Sequence, residues 1–95
     1  MKQILYIAHG GGPMPLLGDA SHADMVTQLQ AITQQIPSPS AILVISAHWE
    51  TDVPHVTTGV APELLYDYYG FPPESYEIQY PCQGSPELAN KVISA

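Results

Sequence analysis

The sequence has no arginine, and Lys2 and Lys91 are its only fixed cations against nine Asp and Glu, for a formal net charge of −7. A nucleic-acid footprint needs clustered Lys and Arg to displace counterions, so nucleic acid is excluded as a partner. A polybasic membrane contact is excluded for the same reason. Cysteine is almost absent too: with Cys82 alone, neither an intrachain disulfide nor a thiolate zinc cluster can form. Long apolar runs are missing. The apolar start of the chain is interrupted by His9 and three glycines, too early for a spanning helix, and no signal-type cleavage site follows. No membrane partner is expected, and the cytoplasm is the expected compartment. Charge is scarce overall, at 12% against 45% apolar residues. Complete small domains usually carry about a quarter of their residues as charges. This composition suits a piece of a larger globular body.

Apolar residues are therefore what the chain has to organise. Residues 4–8 form a continuous apolar run, the pattern of a strand buried on both faces. His9-Gly10-Gly11-Gly12-Pro13 then breaks it, since glycine permits positive φ and proline lacks a ladder donor. Residues 14–20 read as loop. Ser21 is placed to cap a helix, with Asp24 at the positive end of its dipole and Met25, Leu29, Ile32 and Ile36 at helical spacing. That helix should stop before Pro37. A second buried run at 41–47 completes a strand, helix, strand unit with a parallel pair. A further short strand is expected at 55–60, a helical turn at 61–67, and a helix opened by Ser85-Pro86. This last helix reaches Ala95 with no terminator. The expected fold is α/β: a mostly parallel or mixed sheet flanked by helices, with residues 1–95 the N-terminal part of a larger single domain.

The chemistry concentrates in two histidines. His9 and His48 each follow a predicted buried strand, and ligands in open α/β sheets bind beyond the carboxyl ends of strands. Strands one or two places apart lie about 5 or 10 Å from each other, close enough for two imidazoles to converge. Imidazole suits Fe(II) and zinc alike, and a catalytic metal needs a third ligand and open positions. A histidine at such a position is otherwise an ordinary hydrogen-bonded loop residue. The triple glycine matches neither the dinucleotide fingerprint nor the Walker loop, and Pro13 removes a donor, so a phosphate cradle is set aside. Gly10 and Gly11 instead let the backbone pass close to a metal or substrate.

His22 follows the His9 loop and either faces the site or sits at a solvated helix start. His55 reads as structural. Trp49, Tyr69 and the other tyrosines either line an aromatic pocket or pack a core. Among Glu50, Asp52 and Asp67, the last is the best carboxylate partner for an imidazole N–H.

These residues resemble a known family. His9-Gly10-Gly11-Gly12-Pro13-Met14 and Ile45-Ser46-Ala47-His48-Trp49 are similar to the two N-terminal signatures of the class III extradiol ring-cleaving dioxygenases. The resemblance is to the DOPA 4,5-dioxygenase-like branch, related to the catalytic β chain of protocatechuate 4,5-dioxygenase. Leu65-Tyr66-Asp67-Tyr68-Tyr69-Gly70-Phe71-Pro72 resembles that branch's Tyr-Asp-aromatic-x-Gly-Phe-Pro segment. Tyr80-Pro81 through Gly84-Ser85-Pro86-Glu87-Leu88-Ala89 resembles its Tyr-Pro-x-x-Gly-x-Pro-x-Leu-Ala segment. The triple glycine departs from the commoner His-Gly-Ser-Pro form and marks a subgroup, and Cys82-Gln83 replaces a small apolar residue and proline.

The resemblance implies a non-haem Fe(II), or zinc in some members, held by His9, His48 and a third ligand beyond residue 95. An acid/base histidine is likewise implied beyond residue 95, so no catalytic residue is assigned within the chain. Gly10, Gly11, His22, Trp49 and Tyr69 become candidate substrate contacts. The implied reaction opens a small aromatic diol with O2 beside its hydroxyls. Two rivals stand: a zinc-dependent hydrolase using the same histidines, and a non-catalytic fragment or half-domain. Apolar surface left uncovered by so few helices is expected to draw copies together as a homo-oligomer.

Overall fold

The computed structural model describes residues 2–95, and among them helices are the only regular elements. Helix α1 covers Ala23–Gln35 and helix α2 covers Pro86–Ser94. Three 3-10 turns accompany them at Met14–Leu17, Ala20–His22 and Pro73–Tyr76. No described helix is long and apolar enough to cross a membrane.

The expected sheet is not there. No strand forms among the described residues, at 4–8, at 41–47 or at 55–60, so the reading of an α/β fold with a sheet flanked by helices is corrected. The apolar runs lie open instead, with Ile4 97% and Ile45 93% exposed. An apolar run reports a preference for burial, whereas a strand exists only where a second strand completes its hydrogen-bond ladder. The described residues supply no such ladder, and two helices offer little to cover runs that are apolar on both faces.

The chain divides into two compact units. The first comprises residues up to Ser38 together with Gly70–Tyr76. In it Pro13 and Ser75 are buried, and Phe71 is half-buried. α1 turns Met25, Val26, Leu29 and Ile32 to the half-buried side, as the helical spacing requires, with Asp24 in its first turn. Its start differs from the expectation. Ser21 does not cap α1; His22 occupies that position without a side-chain cap, and Ser21 lies in the 3-10 turn that leads in. The Ser21 hydroxyl donates to the Asp19 carboxylate within that turn. α1 ends where Pro37 dictates, with Ile36 extended at φ −107°, ψ 141°. The stretch read as loop at 14–20 contains the Met14–Leu17 turn, closed by Gly18 in the left-handed conformation.

The second unit comprises Pro39–Tyr69 and Glu77–Ala95. α2 forms as the sequence indicates: the Ser85 hydroxyl accepts the Leu88 N–H at 3.2 Å, Pro86 opens the first turn, and Ala89 is buried. The helical turn expected at 61–67 is absent. Side chains there make distant hydrogen bonds, Tyr66 Oη donating to the Ile78 carbonyl and Asp67 reaching His48. Gly84 donates its N–H to the Val60 carbonyl at 2.9 Å, and a Cβ on Gly84 would stand 2.0 Å from the Gly59 oxygen. That contact requires glycine.

Candidate functional site

The first unit carries His9 on its glycine turn. The His9 Nδ1 lies 3.0 Å from the Gly10 carbonyl, which can only accept, so in the neutral ring the proton sits on Nδ1 and the lone pair on Nε2. Gly10 and Gly12 turn the chain at φ 77° and 52°, conformations that side chains resist. Rings occupy the space where their side chains would stand. A Cβ on Gly10 would meet His22 Cδ2 at 2.5 Å, and one on Gly12 would meet Phe71 Cζ at 2.6 Å.

His22 is held at both ring nitrogens. Its Nδ1 meets Asp19 Oδ2 at 2.6 Å, and its Nε2 accepts the Gly11 N–H at 3.1 Å. The Ser21 hydroxyl, and after it the His22 ring, hold the Asp19 carboxyl below its ordinary carboxylate value. The sequence reading assigned Asp19 and Phe71 no part in the loop. The spacing of Asp19 to His22, three residues apart at the start of α1, was the available signal for the first.

The second unit carries His48. Ser46 Oγ accepts the His48 backbone N–H at 3.1 Å, turning the chain at the Ser-Ala-His motif. Asp67 Oδ2 lies 2.9 Å from His48 Nδ1, the carboxylate–imidazole pairing that the sequence favoured over Glu50 and Asp52. A carboxylate on Nδ1 fixes ring orientation and tautomer and makes Nε2 the donor nitrogen. Trp49 packs its ring 6.3 Å from that of His55, whose Nδ1 meets the Val53 carbonyl at 2.7 Å. Trp49 also heads a shallow open groove running through Pro54, without the enclosure that small-ligand sites have. Tyr69, expected near substrate, is 90% exposed. Among the described residues no three His, Cys, Asp or Glu side chains come together as a metal-holding group.

Comparison with known proteins bears on what such residues serve. Residues 4–95 match the family model described as the catalytic LigB subunit of aromatic ring-opening dioxygenase. The chain belongs to the class III extradiol dioxygenase family. Among relatives, a dioxygenase of Hapsidospora irregularis, tasH, is 42% identical, covering 100% of this chain and 32% of its own length. The 4,5-DOPA dioxygenase extradiol of Beta vulgaris is 42% identical over 97% of the chain and 34% of its own length. That of Escherichia coli K12 is 37% identical over 94% and 31%. The chain thus spans about a third of the length of the curated relatives it matches. No solved structure matches it significantly.

Each imidazole, within its own unit, is a donor of the type that suits iron or zinc. His9 and His48 both have Nδ1 against an oxygen acceptor, which in a neutral ring puts the lone pair on Nε2.

Proposed function

We propose that the protein carrying this chain is an extradiol dioxygenase that opens the ring of a catecholic substrate with O2, using a non-haem Fe(II) to which His9 and His48 contribute two ligands. The observation that carries the proposal is the His48–Asp67 pair, a ring oriented through Nδ1 by a carboxylate within a family motif. Bound Fe(II) would supply Lewis-acid and redox chemistry for the reaction of the diol with O2. In the reaction the carbon–carbon bond beside the diol breaks and both oxygen atoms enter the product, so no external reductant is consumed. The residues of this chain orient rather than transfer protons: Asp67 fixes the His48 ring, and the Gly10–Gly12 turn carries His9. The chain is read as one part of such a catalytic domain. By itself it is read as unable to turn over, since two imidazoles leave a ligand set incomplete.

The test is anaerobic loading of the intact protein with Fe(II), followed by catechol-dependent O2 uptake. The names of the plant and bacterial relatives make DOPA the first catechol to try. One O2 consumed per ring opened is expected. Ester or amide hydrolysis with zinc, and no O2 uptake with iron, would establish the hydrolase reading in its place.

Asp67 offers a finer check. Asp67→Ala removes the acceptor on His48 Nδ1 and is expected to weaken metal binding about 10–100-fold, as losing a group that orients a ligand does. Asp67→Asn retains a carbonyl oxygen and should fall short of that loss. Calorimetric titration of zinc into the unmutated protein and both variants separates the outcomes, and unchanged affinity in Asp67→Ala would deny Asp67 this role.

A further inference from the structure

We propose that Asp19 and His22 act as a positioning pair that sets the turn bearing His9, and that His22 works through the backbone rather than by touching substrate. The inference rests on the reading of His9 as a metal ligand. Both nitrogens of the His22 ring are engaged within the first unit, Nδ1 by Asp19 at 2.6 Å and Nε2 by the Gly11 amide at 3.1 Å. Accepting from an amide requires a lone pair on Nε2, and an acceptor at Nδ1 requires the proton there. The Asp19 carboxylate therefore selects the one neutral tautomer that can hold Gly11. Ser21 adds a second hydrogen bond to that carboxylate and steadies it.

The ring also fills the space beside Gly10 so closely that a Cβ would stand 2.5 Å from Cδ2 and 2.8 Å from Nε2. Phe71 closes on Gly12 from its own position in the same unit. His22 and Phe71 thus bracket the turn. Gly10 follows His9 directly and accepts from its Nδ1, so the direction of the His9 ring depends on the carbonyl that this bracketed turn presents. A loop whose residues adopt positive φ has many alternatives, and hydrogen bonding at Gly11 removes most of them.

The experiment uses the intact protein with four variants, checked for folding by circular dichroism. Amide hydrogen exchange of the peptide spanning residues 9–13 reads the turn, and Fe(II) affinity under argon against a chelator reads the ligand. In His22→Ala the exchange should accelerate about fivefold, the loss of one net hydrogen bond. Fe(II) affinity should drop about tenfold. His22→Gln carries a carbonyl that can accept from Gly11 and should recover most of both. Asp19→Ala should show the same two effects in smaller degree; with His22→Gln it carries the test should His22→Ala fail to fold.

Unchanged exchange in His22→Ala overturns the proposal, and so does faster exchange with wild-type Fe(II) affinity. His9→Ala is the fourth variant. Wild-type affinity there overturns the ligand reading and this role together, and is told apart because the exchange response to His22→Ala persists.

Discussion

His9→Ala and His48→Ala, made separately in the intact protein, are each expected to lower the proposed ring opening at least about a hundredfold, more than losing a group that only orients a ligand would. His55→Ala should stay within about twofold, as surface changes do. The contrast follows from what each ring is tied to. His48 is oriented by a carboxylate that lies 19 residues away and approaches Nδ1 at 2.9 Å. His9 stands at the head of a turn whose glycines are pinned by neighbouring rings. His55 is tied to its own stretch of chain, meeting the Val53 carbonyl two residues earlier and the tilted ring of Trp49. Steady-state O2 uptake gives the rate, and iron content after desalting shows whether the metal has been lost. Full iron with normal turnover in either of the first two variants would remove that residue from the ligand set.

Gly10→Ala and Gly18→Ala should differ sharply although both glycines sit at φ 77°. Forcing a side chain into the left-handed region costs about 1 kcal/mol, and both variants bear that strain. Gly18 has nothing within 4 Å of its hypothetical Cβ, so its cost ends there. At Gly10 the methyl group collides with the His22 ring, which cannot swing aside without giving up Asp19, Gly11 or both. Such overpacking adds about 1–3 kcal/mol, so Gly10→Ala should lose about 2–4 kcal/mol in all. Urea denaturation of the two proteins measures the difference. Equal losses would mean that the His22 ring is not held.

Local chemistry was the legible part of this sequence, and pairing was not. Ser85-Pro86 announced α2 because a hydroxyl cap and an N-terminal proline act within one turn. Pro37 ended α1 through the steric restriction on Ile36. Ser21 failed as a cap because a 3-10 turn at Ala20–His22 carries it past the helix start and leaves His22 at the cap position. The runs at 4–8 and 41–47 were read as strands from burial preference, a property of one segment, whereas a strand is a property of two. In the candidate site Asp67 was found among three carboxylates by its aromatic setting, but Asp19 was passed over. The triple glycine was read as room for a metal or substrate. In the structure the space beside its first and third members is taken by His22 and Phe71, which no spacing rule connects to them.

The uncovered apolar runs have a consequence for handling the protein in solution. Ala41-Ile42-Leu43-Val44-Ile45-Ser46 has no charge, proline or glycine, and Ile4-Leu5-Tyr6-Ile7 is similar. Short stretches of this kind are templates for cross-β stacking when they stand open to solvent. Opposing that association is the surplus of carboxylates, which makes the chains repel one another. Salt shortens the reach of that repulsion to about 8 Å at physiological ionic strength. Acid removes it by protonating the same groups. Fibril formation, followed by thioflavin fluorescence, should therefore start sooner in salt, and sooner still in acid as the net charge of −7 falls away.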